Sequence, residues 1–170
     1  HLPDCDIWRT LETWRFARGM IRASANWHPL SDTRESAVKI AITGASGFIG
    51  RALADRLRSG GHAVTPVSLR TAPRPESFPA CDALVHLAGE AVAQRWTAAA
   101  RERIRNSRIE GTRALVAALR DRPPSVLVSA SAVGYYGSRG DEVLTEAAAP
   151  GADFLGEVAA GWEREARAAE

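Results

Sequence analysis

Val38-Lys39-Ile40-Ala41-Ile42-Thr43-Gly44-Ala45-Ser46-Gly47-Phe48-Ile49-Gly50 is the stretch whose reading decides the fold. It opens with a short apolar run rich in β-branched residues, the pattern of a strand buried on both faces of a parallel sheet. Glycines follow at 44, 47 and 50. A helical pattern starts at once, with Ile49, Ala52, Leu53 and Leu57 on one face and a glycine stop at Ser59-Gly60-Gly61. Each glycine has a physical task in a turn that cradles a pyrophosphate. Gly44 permits the sharp exit from the strand, Gly47 lets a phosphate approach the backbone, and Gly50 lets the helix pack closely on the strand. The helix start adds free N–H groups and the positive end of its dipole. Ser46, Phe48 and Ile49 therefore join the three glycines as candidate binding positions. The spacing is GxxGxxG rather than GxGxxG, but strand and helix flank it as the mechanism requires.

A chain of 170 residues is long enough for one domain with a real core. Its net charge of +2 creates no strong field toward nucleic acid or membrane, and both signs are mixed along the chain. Of the 22 basic residues only Lys39 is a lysine; beside so much alanine, this reads as compositional bias rather than an RNA-binding signature. Cys5 and Cys81 form no CxxC pair and the four histidines lack ligand spacing, so no metal site is expected. A reduced, cytoplasmic setting is the simplest reading. There is no run of about 18 apolar residues for a membrane span, and the N-terminal residues lack the apolar core of a signal peptide. The chain starts at His1 and ends at Glu170 inside a helical pattern, which points to a piece of a longer protein.

Residues 1–37 hold Trp8, Trp14 and Trp27 and end in the polar linker Ser31 to Ser36. They read as an N-terminal extension or the tail of an upstream domain, ahead of a nucleotide-binding unit over 38–170. A second strand runs from Ala63 to Ser68, although Pro66 is awkward in a central strand. The end of this strand chooses the cofactor: a carboxylate there binds the ribose hydroxyls of NAD, an arginine accepts the 2′-phosphate of NADP. No Asp or Glu lies between Asp55 and Glu76, and Ser68 and Arg70 offer a hydroxyl and a guanidinium. NADP is expected rather than NAD. Pro73, Pro75 and Pro79 make residues 71–80 a loop.

Asp82-Ala83-Leu84-Val85-His86-Leu87-Ala88-Gly89 forms a third strand and its exit. The small Ala88 and Gly89, with Leu87, let a dinucleotide lie against the strand end, while a lone strand histidine such as His86 is expected to be structural. Trp96 to Arg120 reads as one long helix, interrupted at Gly111 at a cost of about 1 kcal/mol. Pro123-Pro124 ends it, and Ser125 to Ala130 is a fourth strand. Its exit carries Ser131, Tyr135 and Tyr136, beyond the carboxyl end of a strand where open α/β sheets bind ligands. After a polar loop from Gly137 to Gly151, a last helix starts with Asp153 as N-cap and buries Leu155, Val158, Ala159 and Trp162.

The loop TGASGFIG, the run DALVHLA, the helix stretch Arg108-Ile109-Glu110-Gly111-Thr112 and the exit Ser131-Ala132-Val133-Gly134-Tyr135-Tyr136-Gly137 together resemble the extended short-chain dehydrogenase/reductase superfamily. Within it they look like the NAD-dependent epimerase/dehydratase branch, and the subgroup sometimes labelled cell-division inhibitors. The resemblance covers about residues 38–165. It implies an α/β, Rossmann-type doubly wound parallel sheet, here its N-terminal part, with strand order 3-2-1-4. It implies an NADP-binding oxidoreductase or epimerase-like protein acting on an unknown small molecule, with the C-terminal substrate part absent. Arg108 replaces the usual Asn of the helix motif, and the resemblance points it at the cofactor phosphates. Ser131 and Tyr136 line the reaction centre by the same comparison and become the catalytic candidates. The family's usual Tyr-x-x-x-Lys pair cannot exist here, since the only lysine is Lys39 and the only tyrosines are Tyr135 and Tyr136; Phe154 stands about where the tyrosine belongs. The rival reading is a non-catalytic nucleotide-sensing or scaffold protein on the same fold.

Overall fold

The computed structural model describes residues 37–71 and 73–169. The extension expected over residues 1–37 lies outside them apart from Ala37. Four strands and three helices follow in the order β1 (Lys39–Thr43), α1 (Phe48–Ser59), β2 (Ala63–Val67), β3 (Ala83–His86), α2 (Ala98–Leu119), β4 (Val126–Ser129) and α3 (Phe154–Arg167). Short 3-10 turns at Pro75–Ser77 and Val133–Tyr136 punctuate the loops. Thr97 caps α2 by accepting the Ala100 N–H, so the helix starts two residues later than Trp96.

All strand pairs are parallel. Alternation along β1 sends Ile40 and Ile42 to one face, where Leu53, Ala54 and Leu57 of α1 cover them. It sends Ala41 to the other face, with Leu84 against Leu115 and Leu119 of α2. Helices therefore cover both faces of β1, which explains why it reads as an unbroken apolar run. Ile49 and Ala52 are exposed, however, so the buried face of α1 is narrower than the sequence pattern implies.

The strand order is β2-β1-β3-β4, not the expected 3-2-1-4. The difference follows from residues 71–80. A full doubly wound sheet has a further strand outside β2. Here that segment supplies only one 3-10 turn, and the chain crosses straight to the far side of β1. Asp82 anchors the landing: its N–H donates to Lys39 O, and its carboxylate takes the Lys39 N–H at 2.8 Å. The same order resolves Pro66, because β2 is an edge strand. Ala63 donates to Val38 O, so by alternation the Pro66 nitrogen faces the open edge where no donor is needed.

Candidate functional site

The chain leaves β1 for β2 on one side and returns to pair β3 on the other, so the crevice at the carboxyl end of β1 is a topological switch point. A cleft of about 1090 Å³ opens there. Gly44, Ala45 and Ser46 line it from the β1 exit, and Pro66 to Arg70 from the β2 exit. Ala88, Gly89 and Glu90 come from the β3 exit, and Asn106, Glu110 and Gly111 from α2. A separate cavity of about 720 Å³ lies beside Pro123 and Pro124, ahead of β4, and touches none of these exits.

The glycine turn is built as its sequence requires. Gly44 has φ +73°, and a Cβ there would lie 2.8 Å from the Ala88 nitrogen and the Leu87 carbonyl. A Cβ on Gly50 would overlap the Gly44 carbonyl, so the helix rests directly on the turn. A Cβ on Gly47 would meet only Gly44 O, at 3.2 Å; its outer side is open. Gly47 is the N-cap of α1, with no side-chain cap and no acidic residue in the first turn. The free amides of that turn and the dipole behind them are left for an anion, which is the fit a pyrophosphate needs. Phe48 and Ile49 present their backbone to this turn, while their side chains are 89% and 65% exposed.

Beneath the cleft lies a buried polar network. Thr43 Oγ1 accepts the N–H groups of Leu87 and Ala88 at 3.2 and 3.3 Å. Its own proton therefore goes to His86 Nδ1, 2.6 Å away, and His86 Nε2–H donates to Thr112 Oγ1 at 2.9 Å. Burial holds His86 neutral, with its pKa lowered to about 4. The chain of bonds ties β1, β3 and α2 together at the strand exits, and His86 is structural, as its isolation in the sequence suggests.

Arg108 is not among the cleft-lining residues. Its guanidinium packs 3.0 Å from where a Gly89 Cβ would stand, donates to Glu90 O at 2.9 Å, and lies 5.3 Å from the centre of the Trp162 ring. Burial pulls its pKa down while the Glu90 charge opposes the shift. It supports the β3 exit from behind. Ser131 and Tyr136 also lie off the cleft, at the β4 exit. Ser131 Oγ donates to Glu163 Oε1 of α3 at 2.5 Å, and Arg167 holds the other carboxylate oxygen at 3.0 Å. Tyr136 stacks edge-on with Tyr135 at 5.1 Å. Sequence reading missed Asn106 and Glu110. The available signal was their i, i+4 spacing with Ala114, on one face of the helix that carries the Arg108 to Thr112 stretch.

The NAD dependent epimerase/dehydratase family matches residues 40–153. The chain belongs to that family. It is 36% identical over 157 residues to an Arabidopsis thaliana protein, "Epimerase family protein SDR39U1 homolog, chloroplastic", covering 78% of this chain and 45% of that one. The human epimerase family protein SDR39U1, solved with NADPH, superposes with a TM-score of 0.68 at 33% identity, over 76% of this chain and 48% of that one. MoeE5, solved with UDP-glucose and NAD, gives 0.63 at 26% identity, over 77% and 48%. The chain thus spans about half the length of these relatives. The Rossmann-type α/β class and the NAD(P)-binding family assignment hold. Among the described residues no helix is long and apolar enough to cross a membrane, and no cluster of His, Cys, Asp or Glu is arranged for a metal.

Proposed function

We propose that this chain is the dinucleotide-binding half of an NADP-preferring oxidoreductase or epimerase-like protein of the extended short-chain type, working in a reduced, cytoplasmic setting on a small-molecule substrate. One observation carries the cofactor choice. Ser68 and Arg70 line the cleft at the β2 exit, and that segment of the chain carries no carboxylate. The Ser68 hydroxyl accepts the Arg70 N–H at 3.3 Å, which turns the segment so that both residues border the same space. A guanidinium there suits a 2′-phosphate and leaves a bare ribose without its carboxylate partner. NADP, when bound, supplies the hydride chemistry. The protein's part is to hold the pyrophosphate on the α1 amides, keep the β3 exit flat with Ala88 and Gly89, and handle a proton through Ser131 and Tyr136.

Titrating the protein with NADPH and NADH separately tests the cofactor choice: a clear NADPH preference is expected, and equal affinity sinks the role of Arg70. Turnover is a second question. Positioning a substrate against the cofactor supplies about 7–11 kcal/mol of a barrier, and this chain covers about half of its relatives. The 170 residues alone are therefore expected to show no turnover, and a substrate panel on the longer protein with Tyr136→Phe and Ser131→Ala tests the two candidates. A non-catalytic, nucleotide-sensing reading draws support from the first turns of α3. Phe154 and the buried Val158 stand where a Tyr-x-x-x-Lys pair would be sought, and neither transfers a proton. NADPH binding without turnover by the longer protein would favour it.

A further inference from the structure

The cleft has more polar demand than the phosphates explain. Most polar side chains lining it are already committed. Ser107 Oγ accepts the Glu90 N–H and donates to Ile104 O, Glu110 is held by Arg113 at 2.7 Å, and Glu90 takes Gln94 and Arg103. Three lining side chains have no partner among the described residues: the Ser46 hydroxyl, the Arg70 guanidinium and the Asn106 carboxamide. Ser46 stands at the glycine turn beside the pyrophosphate position, and Arg70 at the β2 exit beside the ribose position. Asn106 is left, half-buried on α2, with a donor and an acceptor both free.

Next to it α2 is unusually bare. Gly111 faces the cleft, and a Cβ built there would touch nothing nearer than Asn106 O, at 3.8 Å. Ala114 follows on the same face, and Pro66 and Pro73 line the cleft as well. Small and ring-shaped apolar surfaces leave a slot for a flat ring, which gives the glycine in mid-helix a use that offsets its helix-propensity cost. A carboxamide at the rim of such a slot matches adenine: its oxygen accepts from N6–H while its nitrogen donates to N7, the pairing by which Asn reads that base.

The geometry points to Asn106 as the residue that reads the base of the dinucleotide, selecting adenine in a slot floored by Gly111 and Ala114. This deepens the dinucleotide-binding reading above and rests on it. Hypoxanthine carries a carbonyl oxygen in place of the amino group, so the Asn106 oxygen loses its donor and faces another acceptor.

The test is calorimetric titration of the full-length protein with NADP+, with nicotinamide hypoxanthine dinucleotide phosphate, and with NAD+. Wild type is expected to favour NADP+ over the hypoxanthine analogue by about tenfold or more. Asn106→Ala should bring that ratio close to one and leave the NADP+ over NAD+ ratio at its wild-type value. Asn106→Asp keeps the acceptor that distinguishes the two bases and loses the donor to N7 that both share, so it should weaken both dinucleotides and keep the preference for adenine. A thermal melt matching wild type confirms that each variant is folded. A wild-type protein that binds both bases equally, or an Asn106→Ala variant that keeps its base ratio, overturns the inference and leaves dinucleotide binding standing. A variant that instead changes the NADP+ over NAD+ ratio also overturns it. Failure of the wild type to bind NADP+ at all removes the parent reading, and the inference with it.

Discussion

Helix α1 begins at Gly47, with no side chain over its free amides and no acidic residue in its first turn. Helix α3 begins at Asp153, whose carboxylate takes the Gly156 N–H at 2.8 Å, with Glu157 next in the first turn. Both starts sit beyond the carboxyl ends of parallel strands. One has a first-turn N–H taken by its own cap; the other leaves its first turn without a side-chain cap. Glycine is only about a few tenths of a kcal/mol worse than aspartate as a cap, so α1 keeps its amides uncovered at little cost in stability, in the place where an anion is proposed to bind. On the proposed reading, the difference separates a binding end of the molecule from a structural one, without reference to any relative.

The comparison breaks most sharply if the two starts are made alike. Gly47→Asp puts a carboxylate over the α1 amides. The backbone there is extended, with φ −74° and ψ 175°, so it accepts a side chain. The carboxylate occupies the anion's place and repels a pyrophosphate, at a cost of several kcal/mol. Dinucleotide affinity should fall by about 100-fold or more, while stability changes by only a few tenths of a kcal/mol, since Gly and Asp differ little as caps. Gly47→Val, which blocks the approach without capping, should also lose binding. If calorimetry gives wild-type affinity for both variants, the α1 start is not the phosphate site.

Acid should weaken the network that ties β1, β3 and α2 together beneath the cleft. His86 is lowered from about 6.5 to about 4 by burial, so the unfolded chain binds a proton that the native chain refuses. The stability it contributes is complete above about pH 6.5 and is lost as the pH falls toward 4, about 3 kcal/mol across that window. Urea unfolding at pH 7 and pH 4.5, for wild type and His86→Gln, isolates it. The acid loss should be smaller in the variant, and an equal loss in both removes His86 as its source.

Arg70→Ala sharpens the comparison from the binding side. A charge-assisted bond to phosphate contributes about 1.5–3 kcal/mol, so the preference for NADPH over NADH should shrink about tenfold or more. The α3 side should be untouched, which a thermal melt can verify.

Much of this contrast is visible before any coordinates. Gly47 followed by Phe48 and Ile49, against Asp153 three residues ahead of Gly156, already distinguishes an open start from a capped one. The strands were legible because apolar runs and turn residues are local signals. Their order was not, because the sequence of β2 and β3 does not say which side of β1 each will pair with; only the lack of a strand in residues 71–80 held the clue. Arg108 is legible as a motif residue but not as a support behind Gly89, because its partners Glu90 and Trp162 lie 18 and 54 positions away. Asn106 escaped notice for another reason. An exposed-looking polar residue on an arginine-rich helix carries no sign of the cleft it borders until the β2 exit is placed across from it.

The smallest expected effect lies on the structural side. Asp153→Ala should cost α3 about 1 kcal/mol by freeing the Gly156 N–H, a fall of about 3 °C in Tm for a chain of this size. The carboxylate also packs 3.2 Å from where a Gly137 Cβ would stand, so the variant removes a contact as well as a cap. Asp153→Ser separates the two, because serine caps about as well as aspartate but is shorter and leaves the space beside Gly137 empty. If the cap is the stabilising feature, Ser restores the Tm and Ala does not. NADPH affinity should be the same in all three proteins, since the start of α3 is closed by its own Asp153. A parallel loss of affinity in Asp153→Ala would mean that the two helix starts are coupled, and that the capped end helps to hold the open one in shape.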